Sequence, residues 1–241
     1  MAFARSHRLK CISIQDERVA AFYALGAAIR TRRIAVLICT SGSAVLNYAP
    51  AIAEAYFQQV PMLVLSADRP TNLVGQGDGQ TIFQKDVFGK HVKASFQFPD
   101  EAETSEGVRE CNRIMNQALH LCNSGVPGPV HVNIPLAEPL YEQLELDKES
   151  FEVMHWDHSL KTLNSSDWKE LKSEWSQYKK KLIIIGQMNS NEKLDGILDK
   201  MINDHNCVVL CESTSNVKAK KAIRNIDRLM LYMEDLSLIH I

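Results

Sequence analysis

Apolar residues in the first part of the chain gather in short runs, separated by longer stretches in which they recur with a helical period. The short runs predict strands over 11–14, 34–39, 62–66, 93–98 and 130–134. The longer stretches predict helices over 16–33, 43–58 and 105–121. Runs such as Ile-Ala-Val-Leu-Ile-Cys are apolar at every position, as in strands covered on both faces. The pattern therefore predicts an α/β fold with an open, mostly parallel sheet and helices on both faces.

A polar stretch over 142–165 has no clean period and is typical of a linker between domains. It separates a first domain, 1–141, from a second α/β pattern with helices over 166–180 and 191–204 and strands over 182–185 and 208–212. The second domain, 166–235, has only about 70 residues, so we expect it to be truncated. The first domain is expected to be incomplete at its N-terminus. Residues 236–241 match the translation of a transposon-end adapter used in sequencing libraries, which predicts a non-native tail.

Composition narrows the classes of function. The 27 Lys and Arg residues against 29 Asp and Glu give a net charge of −2, which favours neither nucleic-acid binding nor a polybasic membrane arm. No apolar run approaches the roughly 20 residues that span a bilayer, so we expect no membrane insertion. The six cysteines form no Cys-x-x-Cys pair and no zinc-type spacing. We therefore expect a cytoplasmic protein with reduced thiols that acts on small molecules.

Two segments place polar residues where a predicted helix begins. Asp16 and Glu17 precede the first helix, where acidic residues favour the positive end of the helix dipole, so capping is the alternative to a chemical role. Thr40, Ser41 and Gly42 follow the strand over 34–39 and precede the next helix. Such a turn offers backbone N–H groups to a phosphate or a polar ring edge, or else it is only a tight structural turn. It matches neither the Walker loop nor G-x-G-x-x-G.

A third segment follows the strand over 62–66. It reads Ser-Ala-Asp-Arg-Pro and is followed, over 77–84, by Gly-Asp-Gly-Gln-Thr-Ile-Phe-Gln. Ligands of open α/β sheets bind beyond the carboxyl ends of the strands, and arginine suits a carboxylate because it donates two parallel hydrogen bonds. Arg69 is thus a candidate for a substrate carboxylate. The alternative is that Asp68 and Arg69 pair with each other and fix the loop.

In combination and in this order, these segments resemble the pyrimidine-binding domain of the 2-succinyl-5-enolpyruvyl-6-hydroxy-3-cyclohexene-1-carboxylate (SEPHCHC) synthases, thiamine-diphosphate enzymes of menaquinone biosynthesis. The resemblance covers about 11–141. It rests on D-E-R-x-A-A-F-x-A-L-G, C-T-S-G-S-A-x-x-N-Y-x-P-A-x-x-E-A, P-x-x-V-x-S-A-D-R-P and G-x-x-Q-T-I-x-Q-x-x-x-F. It implies that Glu17 is the activating carboxylate bound to N1′ of the aminopyrimidine. Thr40, Ser41 and Gly42 are then implied to line the aminopyrimidine.

The resemblance further implies that Arg69 and Gln80 bind isochorismate or the carboxylates of the adduct. The implied reaction decarboxylates 2-oxoglutarate and adds the succinyl unit to isochorismate. Magnesium would hold the diphosphate through ligands in a C-terminal domain outside this sequence. Gly77-Asp78-Gly79 is similar to the metal motif of thiamine enzymes, but no Asn-Asn pair follows it. The full-length protein is expected to be a homodimer or homotetramer, and this chain alone is expected to be inactive.

Two alternatives stay open from the sequence. The first is another thiamine-diphosphate decarboxylase, or an enzyme similar to acetohydroxyacid synthase, because such enzymes share the domain and its glutamate. The second is a noncatalytic flavodoxin-like module, in which Glu17, Arg69 and Gln80 would lie far apart.

Overall fold

A computed structural model describes residues 10–137, 153–154, 156, 162–203 and 207–238 of the 241-residue chain. The chain divides into two compact units, Met1–Ser159 and Leu160–Ile241. No helix within the described ranges is long and apolar enough to cross a membrane.

The first unit is built on a four-stranded parallel sheet in the order β1-β2-β4-β3. The strands are β1 (Ala35–Cys39), β2 (Met62–Asp68), β3 (Ala94–Gln97) and β4 (Val130–Pro135). Cys39 pairs in register with Ser66, and Ser66 with Asn133. The carboxyl ends of these three neighbouring strands therefore lie at one edge of the sheet. The predicted parallel sheet is confirmed.

Helices cover both faces of this sheet, as predicted. Helices α1 (Glu17–Thr31) and α2 (Ala49–Phe57) pack on one face, and α3 (Ser105–Asn123) packs on the other. The alternation of side chains along β2 explains the two cores, because successive residues of a strand point to opposite faces. Met62 and Val64 belong to the core under α1 and α2, whereas Leu63 and Leu65 belong to the core under α3.

The predicted strand over 11–14 is wrong, since these residues form no strand. None of the described strands pairs with them, and Ile12 is 52% exposed. A run of four residues without a neighbouring strand has no partner for its backbone groups and no core to enter.

The predicted helix over 43–58 is two helices. A 3-10 helix, Gly42–Tyr48, leads directly into α2, and Pro50 lies in the first turn of α2. Proline has no N–H to donate to the preceding turn, so it is tolerated at the start of an α-helix and not in its interior.

Helix α1 packs its small residues inward. Ala21, Ala24, Leu25 and Ala28 are buried. The larger apolar residues that predict this helix, Val19, Phe22, Tyr23 and Ile29, are each about half exposed. Alanine side chains let a helix approach its neighbours closely, and here they put the bulkier apolar face on the surface.

The second unit contains helices α4 (Ser165–Gln177), α5 (Glu192–Asn203) and α6 (Ile226–Leu238). Its strands β5 (Lys181–Ile185) and β6 (Cys207–Cys211) pair in parallel. Leu198 and Val209 belong to its small core. Most of the predicted linker and the predicted domain end at 141 lie outside the described residues. Of the predicted tail, 236–238 continue α6 and 239–241 lie outside the described part.

Candidate functional site

A cavity of about 390 Å³ lies at the carboxyl edge of the sheet in the first unit. The start of α1, the turn after β1 and the loop around residue 80 form its walls. Five of the residues predicted for the site line it: Glu17, Thr40, Ser41, Gly42 and Gln80. The other lining residues include Asp78 and Asn47. The fold thus brings together segments that lie more than 60 positions apart in the sequence.

Glu17 begins α1 and lines the cavity, while its neighbour Asp16 caps the helix. Asp16 Oδ1 accepts a hydrogen bond of 2.9 Å from the backbone N–H of Val19. Because Asp16 fulfils the capping role that the sequence left open, the half-buried Glu17 carboxylate is available to the cavity.

The charge of Glu17 reaches the end of β1. Burial raises the pKa of the Cys39 thiol to about 12; the Tyr48 side chain opposes the rise, and the Glu17 carboxylate adds to it. Burial also raises the pKa of Tyr48, and the neighbouring Cys39 and Glu17 side chains act in the same direction. The Tyr48 hydroxyl donates to the Ile38 carbonyl at 3.0 Å. Cys39 is therefore a neutral thiol beside the cavity and not a nucleophile.

Gly42 needs to be glycine at this turn. Its φ is +82°, and a Cβ there would lie 3.1 Å from the carbonyl oxygen of Gln80. Its backbone N–H donates to Oε1 of Gln84 at 2.6 Å. The expectation that the turn offers its N–H groups to a ligand is therefore wrong at Gly42, because this donor is already satisfied by a buried side chain.

Arg69 lies directly after β2 and forms an ion pair with Asp78. Its Nε is 2.8 Å from Asp78 Oδ2, and both side chains are 29% exposed. This hydrogen bond from Arg69 holds the pKa of Asp78 below its usual range. Arg69 does not line the cavity itself, but its partner Asp78 does. Asp68, the alternative partner, accepts the backbone N–H of Arg69 at 2.8 Å.

Sequence reasoning missed a buried polar network beneath this edge of the sheet. Gln84 donates to the Ala67 carbonyl and to Asn133 Oδ1, both at 2.9 Å. Asn133 in turn donates to Asp68 Oδ2 at 2.7 Å, and Ser66 donates to Asn133 Oδ1 at 2.9 Å. The network therefore joins the ends of β2 and β4 to the loop that carries Gln84.

His131 extends the network into the sheet. A hydrogen bond of 2.7 Å joins its Nε2 to Ser66 Oγ, and the Phe88 ring packs edge-on at 5.1 Å. Burial lowers the pKa of His131 to about 4, although the charge of Asp86 opposes the shift. The sequence holds a signal for the network: His131 and Asn133 are polar residues at alternate positions of an otherwise apolar strand.

Within the described residues, no group of three or more His, Cys, Asp or Glu side chains is arranged to hold a metal ion. Asp78, the acidic residue of the Gly-Asp-Gly segment, is paired with Arg69. The cavity thus offers two half-buried carboxylates, Glu17 and Asp78, together with hydroxyl groups and two amides, and the guanidinium paired with Asp78 lies nearby; this set suits a polar organic ligand.

Comparison with known proteins identifies relatives of this chain. Residues 1–108 match the family described as thiamine pyrophosphate enzyme, N-terminal TPP binding domain. SEPHCHC synthase of Desulfotalea psychrophila is 40% identical over 98% of this chain and 44% of the relative. The Cytophaga hutchinsonii synthase is 45% identical over 80% of this chain and 35% of the relative. The Flavobacterium johnsoniae synthase is 39% identical over 98% of this chain and 42% of the relative. The chain therefore spans less than half the length of these relatives.

Proposed function

Since the chain is homologous over nearly its whole length to the N-terminal part of SEPHCHC synthases, we propose that it forms the pyrimidine-binding part of such an enzyme. The proposed reaction decarboxylates 2-oxoglutarate and adds the succinyl unit to isochorismate. One observation supports it most directly. Glu17 and Gln80, which the resemblance assigns to cofactor and substrate, line the same cavity, and Arg69 is bonded to a third lining residue, Asp78.

The cavity fits the aminopyrimidine of thiamine diphosphate. A half-buried carboxylate at the start of α1 lies beside the hydroxyl-bearing residues Thr40 and Ser41, which suit the polar edges of such a ring. When bound, thiamine diphosphate supplies the electron sink for decarboxylation of a 2-oxo acid. Glu17 would accept the hydrogen bond from N1′ and hold the proton there. Gly42 would let the turn pass close to Gln80, because no Cβ intervenes.

The proposal assigns the substrate contacts to Arg69 and Gln80. Arg69 would bind a carboxylate of isochorismate through its guanidinium, and Gln80 would donate its side-chain amide. We propose that magnesium is held by ligands outside this chain. We further propose that the active enzyme is a homodimer or homotetramer in the cytoplasm. The half-exposed apolar residues of α1, such as Phe22 and Tyr23, support association.

The two alternatives receive less support. If the chain were a noncatalytic module, Glu17, Arg69 and Gln80 would lie far apart. Instead, Glu17 and Gln80 line the same cavity, and Arg69 pairs with Asp78 in its wall. An enzyme similar to acetohydroxyacid synthase would share Glu17. However, the relatives described above all carry the name SEPHCHC synthase.

The test is an assay of the longest natural reading frame that contains this chain. We expect CO₂ release from 2-oxoglutarate that depends on isochorismate and on added thiamine diphosphate and magnesium. Pyruvate in place of 2-oxoglutarate should give no comparable turnover. Turnover with pyruvate alone would favour the acetohydroxyacid-synthase-like alternative, and no turnover with any 2-oxo acid would favour the noncatalytic module.

A further inference from the structure

The arginine proposed to bind substrate already holds a carboxylate of this chain. Asp78 Oδ2 lies 2.8 Å from Arg69 Nε, and Asp78 lines the cavity. A carboxylate ligand that approaches Arg69 from the cavity meets the negative charge of Asp78 first. The two anions then compete for the same guanidinium.

The Asp78 side chain is free to turn away while its backbone stays in place. Thr81 Oγ1 donates to the backbone carbonyl of Asp78 at 2.7 Å, which fixes the turn. The Asp78 side chain is 29% exposed, so it turns toward solvent when it leaves Arg69.

Arg69 is anchored from the opposite side. Its backbone N–H donates to Asp68 Oδ1, and Asp68 Oδ2 accepts from the buried Asn133. Because the base of the arginine is tied to the sheet, exchange of partners falls to Asp78.

We propose that Asp78 occupies the place of a substrate carboxylate on Arg69 and thereby determines specificity. An anionic ligand that displaces the Asp78 carboxylate brings a carboxylate of its own, which pairs with the guanidinium instead. A neutral ligand brings no carboxylate in exchange and does not displace Asp78 from Arg69. This inference rests on the proposed function, because it takes Arg69 as the residue that binds isochorismate.

Steady-state kinetics of the longest natural reading frame test the inference. Asp78→Asn removes the competing charge, and we expect KM for isochorismate to fall about two- to five-fold, the range typical of partly exposed ion pairs. The KM for 2-oxoglutarate should stay unchanged. The matched control is Asp86→Asn, an exposed aspartate at φ +58°, a conformation that asparagine also adopts. It should leave both KM values unchanged. An unchanged or increased KM for isochorismate in Asp78→Asn would overturn the inference.

A second measurement separates this inference from the proposed function. The ¹⁵N NMR signal of Arg69 Nε–H in this 241-residue chain, assigned by its loss in Arg69→Lys, is followed during titration with succinate at constant ionic strength. We expect the midpoint to be two- to five-fold lower in Asp78→Asn than in the wild type, and neutral succinamide to leave the signal in place. Equal midpoints, or no response in either protein, would refute the exchange. Lower midpoints without isochorismate-dependent turnover would refute the proposed function alone.

Discussion

The backbone N–H of Gly42 donates a hydrogen bond of 2.6 Å to Oε1 of Gln84, although 42 positions separate the two residues. The amide nitrogen of the same Gln84 donates to Ala67 and to Asn133. One buried side chain therefore ties the turn after β1 to the ends of β2 and β4. The walls of the cavity depend on this connection.

Replacing Gln84 with leucine should destabilise the first unit. The change leaves the N–H of Gly42, the carbonyl of Ala67 and the side chain of Asn133 without this partner. Unsatisfied buried polar groups cost about 1–3 kcal/mol each, so we expect the free energy of unfolding to fall by about 3 kcal/mol. Urea denaturation measures this free energy of unfolding. Gln58→Leu, on the exposed end of α2, should change it by less than about 0.5 kcal/mol. Equal effects of the two substitutions would show that Gln84 is not a structural connection.

Glu17→Gln should abolish most turnover of the natural reading frame without unfolding it. The substitution keeps the size of the side chain but removes the carboxylate that would hold the proton at N1′, and general-base losses of this kind are about 10²–10⁴-fold. Asp16→Asn is the matched control, because asparagine caps helices as well as aspartate does. It should retain turnover. Near-normal kcat in Glu17→Gln, with thermal unfolding unchanged in both variants, would remove Glu17 from its proposed role.

The stability of the chain should depend on pH through His131. Burial lowers its pKa from 6.5 to about 4 in the folded chain, so between these values the unfolded chain binds the proton and the folded chain does not. The free energy of unfolding is therefore highest above pH 6.5 and decreases as the pH falls toward 4. The loss amounts to about 3 kcal/mol.

Urea denaturation at several pH values checks this dependence on His131. The His131→Gln variant, which cannot titrate, should be less stable at pH 7 but should lose less stability between pH 6.5 and 4. His91→Gln, at an exposed histidine, should keep the slope of the wild type. A slope that His131→Gln leaves unaltered would assign the pH dependence to other groups.

The outward face of α1 should promote association of this chain. Phe22 and Tyr23 are 45% and 55% exposed on the face opposite the buried alanines. Contiguous apolar surface of this kind is removed from water when molecules associate. We expect sedimentation velocity to detect species larger than the monomer, and replacing both residues with serine to reduce them. Val126→Ser, at a single exposed apolar residue in a loop, should have no such effect. A monodisperse monomer for the unaltered chain would contradict the prediction.

The amino-acid sequence by itself determined the layers of the fold. Short apolar runs between helical stretches predict strands, and β1, β2, β3 and β4 begin and end within two residues of these runs. The expectation that the run over 34–39 is covered on both faces is wrong, because β1 is an edge strand and Val36 and Ile38 are about half exposed. The position of the candidate loops followed as well, because residues after parallel strands meet at one edge of the sheet. Thr40 and Gln80 could therefore be expected near one another, whereas Glu17 follows none of the described strands and only the tertiary structure brings it to this edge.

Only the tertiary structure decided which polar groups pair. The sequence places Asp68 beside Arg69, yet the guanidinium binds Asp78, because the turn around Gly77 and Gly79 returns Asp78 to the end of β2. The tertiary structure also decided that α1 buries its alanines and exposes Phe22. The helical period of the sequence indicates an apolar stripe, but it does not indicate how closely the helix packs against its neighbours. Contacts between residues far apart in the chain depend on strand register and turn geometry, and no local pattern encodes these.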